Sequence, residues 1–105
     1  MPIRFEWDPR KERRNLQRHG TGFDEASTVF ADTLSITIPD PDHSNDEERW
    51  ATMGFSHRQR LLVVVHTEDD EQHIVRIISA RPADSDERRE YEEGPYQASP
   101  NRGGP

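Results

Sequence analysis

Arginines on a β-strand, with almost no lysine nearby, carry the most chemistry in this chain. In Ile74 to Tyr91, IVRIISARPADSDERREY, a β-branched run predicts a buried strand that holds Arg76 inside it and ends on Arg81. Guanidinium is always charged, and its planar fork of donors matches phosphate. Two such groups on a rigid sheet could grip an RNA backbone and stabilise charge developing at phosphorus. The alternative for each is a carboxylate partner, of which the chain has many. Arg49, after Glu47-Glu48, opens another predicted strand and is a further candidate, with a cross-strand ion pair as its alternative. His43, in the Pro/Asp-rich link from Pro39 to His43, is a candidate proton donor or acceptor, or else a loop cap.

A second group of cations sits on the first predicted helix. Asp8-Pro9 starts it as N-cap and first helical residue, and Gly20 stops it. This helix, Pro9 to His19, offers little but Leu16 to a core and exposes Lys11, Arg14 and Arg18, which could contact phosphate or merely be solvated. Asn15, His19 and Gly20 read as structural, the last two sealing the helix end. The chain carries a net charge of −7, yet residues 1–20 are locally +3 and the remainder −10. A strongly acidic chain repels nucleic acid unless its cations are gathered, so the asymmetry points to an anionic ligand at this helix or a basic partner over the rest.

The elements that must position these groups follow from periodicity. Ile3 to Trp7 alternates and predicts a first strand, and Phe23, Ala26, Val29 and Phe30 fall at helical spacing over 24–30. Strands are expected over 34–38, 48–55, 60–68 and 73–81. Short polar links, among them a tight turn at 56–59, favour antiparallel pairing. Leu61 to Val65 is apolar throughout, which marks a central strand covered on both faces. Asp84 or Ser85 caps a last helix reaching Glu93, and the tail after it has the composition of a flexible segment. Trp7 and Trp50 are expected in the core.

At 105 residues and 30% hydrophobic, one small domain is expected over residues 1–93, with 94–105 as tail and little room for a cofactor. With no cysteine, disulfides, thiolate metal sites and cysteine nucleophiles are excluded. No histidine pair has a metal-ligand spacing, so neither metal nor cofactor is expected. No run approaches the roughly 20 apolar residues of a membrane span, and no signal-peptide region is seen, so a cytoplasmic location is expected.

FEWDPRKERRNLQRHGTGFDEASTVF, DPDHSNDEERW, RLLVVVH and RIISARPADSDERREYE together resemble the BrnT family of type II toxin–antitoxin toxins, over about Phe5 to Glu93. The resemblance implies a RelE-like ribonuclease that stops growth by cutting RNA. It implies as partner a cognate antitoxin, BrnA-like, of the ribbon-helix-helix DNA-binding kind. The candidate catalytic set, from the residues and the resemblance together, is Arg81, Arg49, Arg76, Tyr91, His43 and Glu48. In the wider RelE group a strand-end arginine and a tyrosine of the final helix recur together, and Arg81 and Tyr91 are similar to that pair; Tyr91 could equally be core. The segment from His43 to Arg49 has one residue more than the family pattern, which leaves open which glutamate matters.

The expected fold is therefore α+β: a small, mainly antiparallel sheet of four to five strands, with two N-terminal helices on one face and a C-terminal helix. The expected function is metal-independent RNA cleavage by general acid–base chemistry. The rivals are a non-catalytic protein-binding module, whose arginines would all be paired with carboxylates, and a gyrase-directed toxin on the same fold.

Overall fold

A computed structural model describes residues 2–40 and 47–94. Five strands form one sheet in the order β1-β5-β4-β3-β2: β1 (Arg4–Glu6), β2 (Ile36–Pro39), β3 (Trp50–Phe55), β4 (Leu61–Asp69) and β5 (Ile74–Pro82). Only β1 pairs in parallel, with the first residues of β5; every other pairing is antiparallel, as the short links require. β4 lies at the centre with Leu61 to His66 all buried, the outcome its unbroken apolar run predicts.

The helices are α1 (Pro9–His19), α2 (Phe23–Ser27), running directly into a 3-10 turn at Thr28–Ala31, and α3 (Ser85–Glu93). Their ends match the sequence signals. The Asp8 side chain accepts from the Arg10 amide at 2.8 Å, Pro9 opens the first turn, and Gly20 closes α1 at φ 67, where a side chain would be strained. α3 begins in a capping box in which Asp84 and Glu87 satisfy each other's backbone amides.

One face of the sheet holds the main core. Phe23, Ala26 and Val29 pack onto Leu62, Val64, Val75, Ile77 and Ala80, with Trp7 edge-on to Phe23. Gly54 lies beneath the 3-10 turn, where a Cβ would come within 3.0 Å of Val29. Buried Glu25 ties α2 to the β3–β4 hairpin by accepting from Ser56 Oγ, Arg60 Nε and Arg60 Nη2; those donors hold its carboxyl below the usual range, Arg60 foremost. On the same side Thr37, Thr52 and His66 form a hydrogen-bonded chain with 2.7 Å links across β2, β3 and β4.

Two expectations about α1 are corrected. Only α2 and the 3-10 turn lie on the core face, whereas α1 runs along the edge of β5. And Leu16 is 51% exposed, while the residue α1 buries is Asn15. The helix is held by a polar group rather than an apolar stripe.

Candidate functional site

β1 pairs with β5 only over Ile74 to Arg76, leaving the rest of that edge open. Asn15 closes it. Its Nδ2 donates to the Ala80 carbonyl at 2.7 Å and its Oδ1 accepts from the Ala80 amide at 3.1 Å, as a neighbouring peptide would. Nδ2 also donates to the Thr21 carbonyl. This fixes α1 beside Arg81, the residue after Ala80. Lys11 and His19 lie about one turn either side of Asn15 on the same helix row, about 6 Å along the axis each way.

A β-bulge decides which way Arg81 points. Val65 pairs with Ser79 and His66 with Ile77, so Ile78 has no partner and the alternation of β5 slips by one. Val75 and Ile77 face the core below the bulge and Ala80 faces it above. Without the extra residue Arg81 would enter the core; with it, Arg81 turns to the opposite face.

That face is a groove of about 1390 Å³. Its floor is aliphatic, from Ile36, Ile38, Ala51, Met53, Val63 and Val65; one wall is Lys11, Arg14, Arg18 and His19 of α1; the other is Glu87, Glu90 and Glu93 of α3. Arg81 lies in the groove with 43% of its side chain exposed and is held by a two-point contact: Nη1 to Glu87 Oε1 and Nη2 to Oε2, both 2.8 Å. Arg81 depresses the Glu87 carboxyl, which also accepts from the Asp84 amide, so Glu87 is a poor proton acceptor. Arg81 is thus both an accessible phosphate-type fork and an ion-paired residue, the two alternatives drawn from sequence.

The remaining candidates lie elsewhere. Arg76 projects on the same face as Arg81 but from the other end of β5, exposed and without an ion pair among the described residues. With Glu6, Glu48, Glu68, Asp69 and Trp50 it lines an acidic cleft of about 630 Å³. Burial, then Asp70, raises the Glu68 carboxyl. Arg49 is half-buried just before β3, where its carbonyl accepts from the Asp40 amide, and it lines neither cavity. Tyr91 is buried against Phe55, and its hydroxyl donates to Asp32 Oδ2 at 2.6 Å; burial and that carboxylate push it up to about 12. Asp32 also accepts from the Phe55 and Leu34 amides, so the pair anchors α3 and Tyr91 is absent from the groove lining. His43 lies outside the described residues.

The structure thus brings Arg81, Lys11, Arg14 and Arg18 together and separates them from Arg76 and Glu48. His19, expected to seal the helix end, also lines the groove. The four-residue spacing of Lys11, Asn15 and His19 was the available signal.

A model of the ribonuclease toxin BrnT of type II toxin–antitoxin systems matches residues 7–87. No curated protein matches the chain. Among solved structures, the crystal structure of the Brucella abortus ribonuclease toxin BrnT aligns with a TM-score of 0.61 at 17% identity, covering 80% of this chain and all of that one. At that identity the likeness shows the fold.

Proposed function

Since the chain belongs to the family of BrnT ribonuclease toxins of type II toxin–antitoxin systems, we propose that it cuts RNA in the groove between α1 and α3, without a metal, and so stops translation and growth. The observation that carries this reading is the Arg81 fork, turned by the bulge into a groove one wall of which is a row of cations. Lys11, Arg14 and Arg18 offer the RNA backbone charge-assisted contacts along α1. Arg81 meets the scissile phosphate and stabilises the charge that builds there. Its two-point contact with Glu87 supports this reading, because the fork that grips two carboxylate oxygens can grip two non-bridging oxygens of a phosphate in the same way.

Among the described residues no group of three or more His, Asp or Glu is arranged to hold a metal ion. The purified chain is expected to keep cleaving RNA in excess EDTA. Activity abolished by the chelator and restored by a divalent ion would overturn this part of the proposal.

A toxin of this kind has an antitoxin partner. We take that partner to be BrnA-like, a ribbon-helix-helix protein that also binds DNA. The −10 balance outside residues 1–20 supports a basic contact segment on it. Association of the purified pair should then slow as salt rises, and a rate independent of ionic strength would remove the charge argument.

A further inference from the structure

We propose that His19 is the general acid of RNA cleavage, the group that protonates the leaving 5′-oxygen; the assignment rests on the ribonuclease reading above. Three observations lead to it. His19 lies one turn beyond Asn15 on the row that Asn15 locks to Ala80, so it occupies a fixed place in the groove on the helix beside Arg81. Its side chain makes no hydrogen bond or ion pair among the described residues; only its carbonyl is used, accepting from Thr21 Oγ1. The fold does not employ the imidazole.

Tyr91 and the other described histidines are occupied or elsewhere. Tyr91 gives its hydroxyl proton to Asp32 and does not line the groove. His66 is fully buried on the core face against Thr52. His57 lies in the β3–β4 turn and His73 in the β4–β5 turn, and neither lines the groove. His19 is the one imidazole lining it among the described residues.

The ribose 2′-hydroxyl gives its proton to the Glu90 carboxylate on the facing wall as its oxygen bonds to phosphorus. The P–O5′ bond breaks with its electron pair going to O5′, and the His19 imidazolium delivers a proton there. The products are a 2′,3′-cyclic phosphate and a free 5′-hydroxyl. Afterwards Glu90 releases its proton to water and His19 takes one up. Arg81 holds the non-bridging oxygens through the pentavalent state.

The test compares RNA with the same RNA carrying sulfur in place of the bridging 5′-oxygen at the cut site. A thiolate leaves without a proton, so it needs no acid. His19→Ala is expected to cleave the oxygen substrate about a hundredfold or more slowly than the parent, yet to cleave the sulfur substrate at nearly the parental rate. Arg81→Lys should be slow on both. His19→Gln, which keeps a polar side chain, should behave as His19→Ala, and both should melt like the parent. Equal losses of His19→Ala on the two substrates, or no loss on either, would overturn the assignment while leaving the ribonuclease reading intact. A parent chain that cleaves neither substrate would overturn that reading itself.

Discussion

Arg81 and Arg76 leave the same strand on the same face, roughly 16 Å apart at about 3.3 Å per residue, and meet opposite surroundings. Around Arg81 a pinned helix supplies Lys11, Arg14 and Arg18, and a bidentate carboxylate holds the fork in place. Around Arg76 the neighbours are Glu6, Glu48, Glu68 and Asp69, and no ion pair is formed among the described residues. The contrast teaches that an arginine on a strand is not by itself a phosphate site. On the proposed reading, what makes one is the charge of the second element brought alongside, and here a single buried asparagine brings that element.

The largest effect is expected from changing the two arginines in turn. Arg81→Lys keeps the charge and loses the fork, and removing one such transition-state donor costs about 3 to 4 kcal/mol, roughly a hundred- to thousandfold in cleavage rate. Arg76→Lys should change the rate by about threefold or less. Cleavage kinetics on both variants, with melting curves alongside, check the pair; equal losses would erase the distinction between the two ends.

Next comes the element that creates the difference. Asn15→Ala strands the Ala80 amide and carbonyl and frees the Thr21 carbonyl in a buried position. At about 1 to 3 kcal/mol per buried group left unpaired, the three groups together should lose about 3 to 9 kcal/mol of unfolding free energy, the lower end if water enters. Denaturant unfolding measures it. A loss below about 1 kcal/mol would mean that α1 is held by something other than Asn15.

The acidic end should also be the one whose stability responds to mild acid. His66 pairs across the sheet with Trp50 of the cleft, its Nδ1 lies 3.4 Å from Glu68, and burial lowers it to about 4. The folded state therefore keeps the imidazole neutral where the unfolded chain, near 6.5, takes up a proton. Stability from this source is complete above about 6.5 and falls as pH drops towards about 4, by about 3 kcal/mol in all. His66→Gln should flatten that slope between pH 6.5 and 4.5. Below that window the depressed carboxylates Glu25 and Glu87 lose their own contributions as they protonate. An unchanged slope in His66→Gln would assign it elsewhere.

The smallest effect concerns the internal competitor. Glu87→Gln removes the charge that holds Arg81, a partly exposed contact of about 1 kcal/mol or less. RNA binding should tighten by about fivefold or less, read by titration with a non-cleavable RNA. Weaker binding would mean that Glu87 positions the fork more than it competes for it.

Much of the fold was legible because its signals are local. Asp8-Pro9 and Gly20 bound α1, Asp84 starts α3, and the apolar run of Leu61 to Val65 identifies the central strand. The site was less legible because it depends on register. The bulge at Ile78 inverts the facing of everything after it, and nothing in IVRIISAR marks the extra residue. Leu16 looked like the buried residue of α1 because apolar periodicity is blind to an asparagine that substitutes for a peptide at a sheet edge. Tyr91 fits the pattern of a strand-end arginine and a helix tyrosine, yet its hydroxyl belongs to Asp32, distant in sequence and near only in the fold.

The central claim is that RNA occupies the α1 end of the sheet and not the acidic end. It is tested most directly by NMR titration of the chain with a short 2′-O-methyl RNA that cannot be cut. The account predicts concentrated shifts at Lys11, Arg14, Arg18, His19 and Arg81 with Glu6, Glu68 and Arg76 unmoved. Shifts gathered around Arg76 and the acidic cleft, with the α1 wall silent, would contradict it.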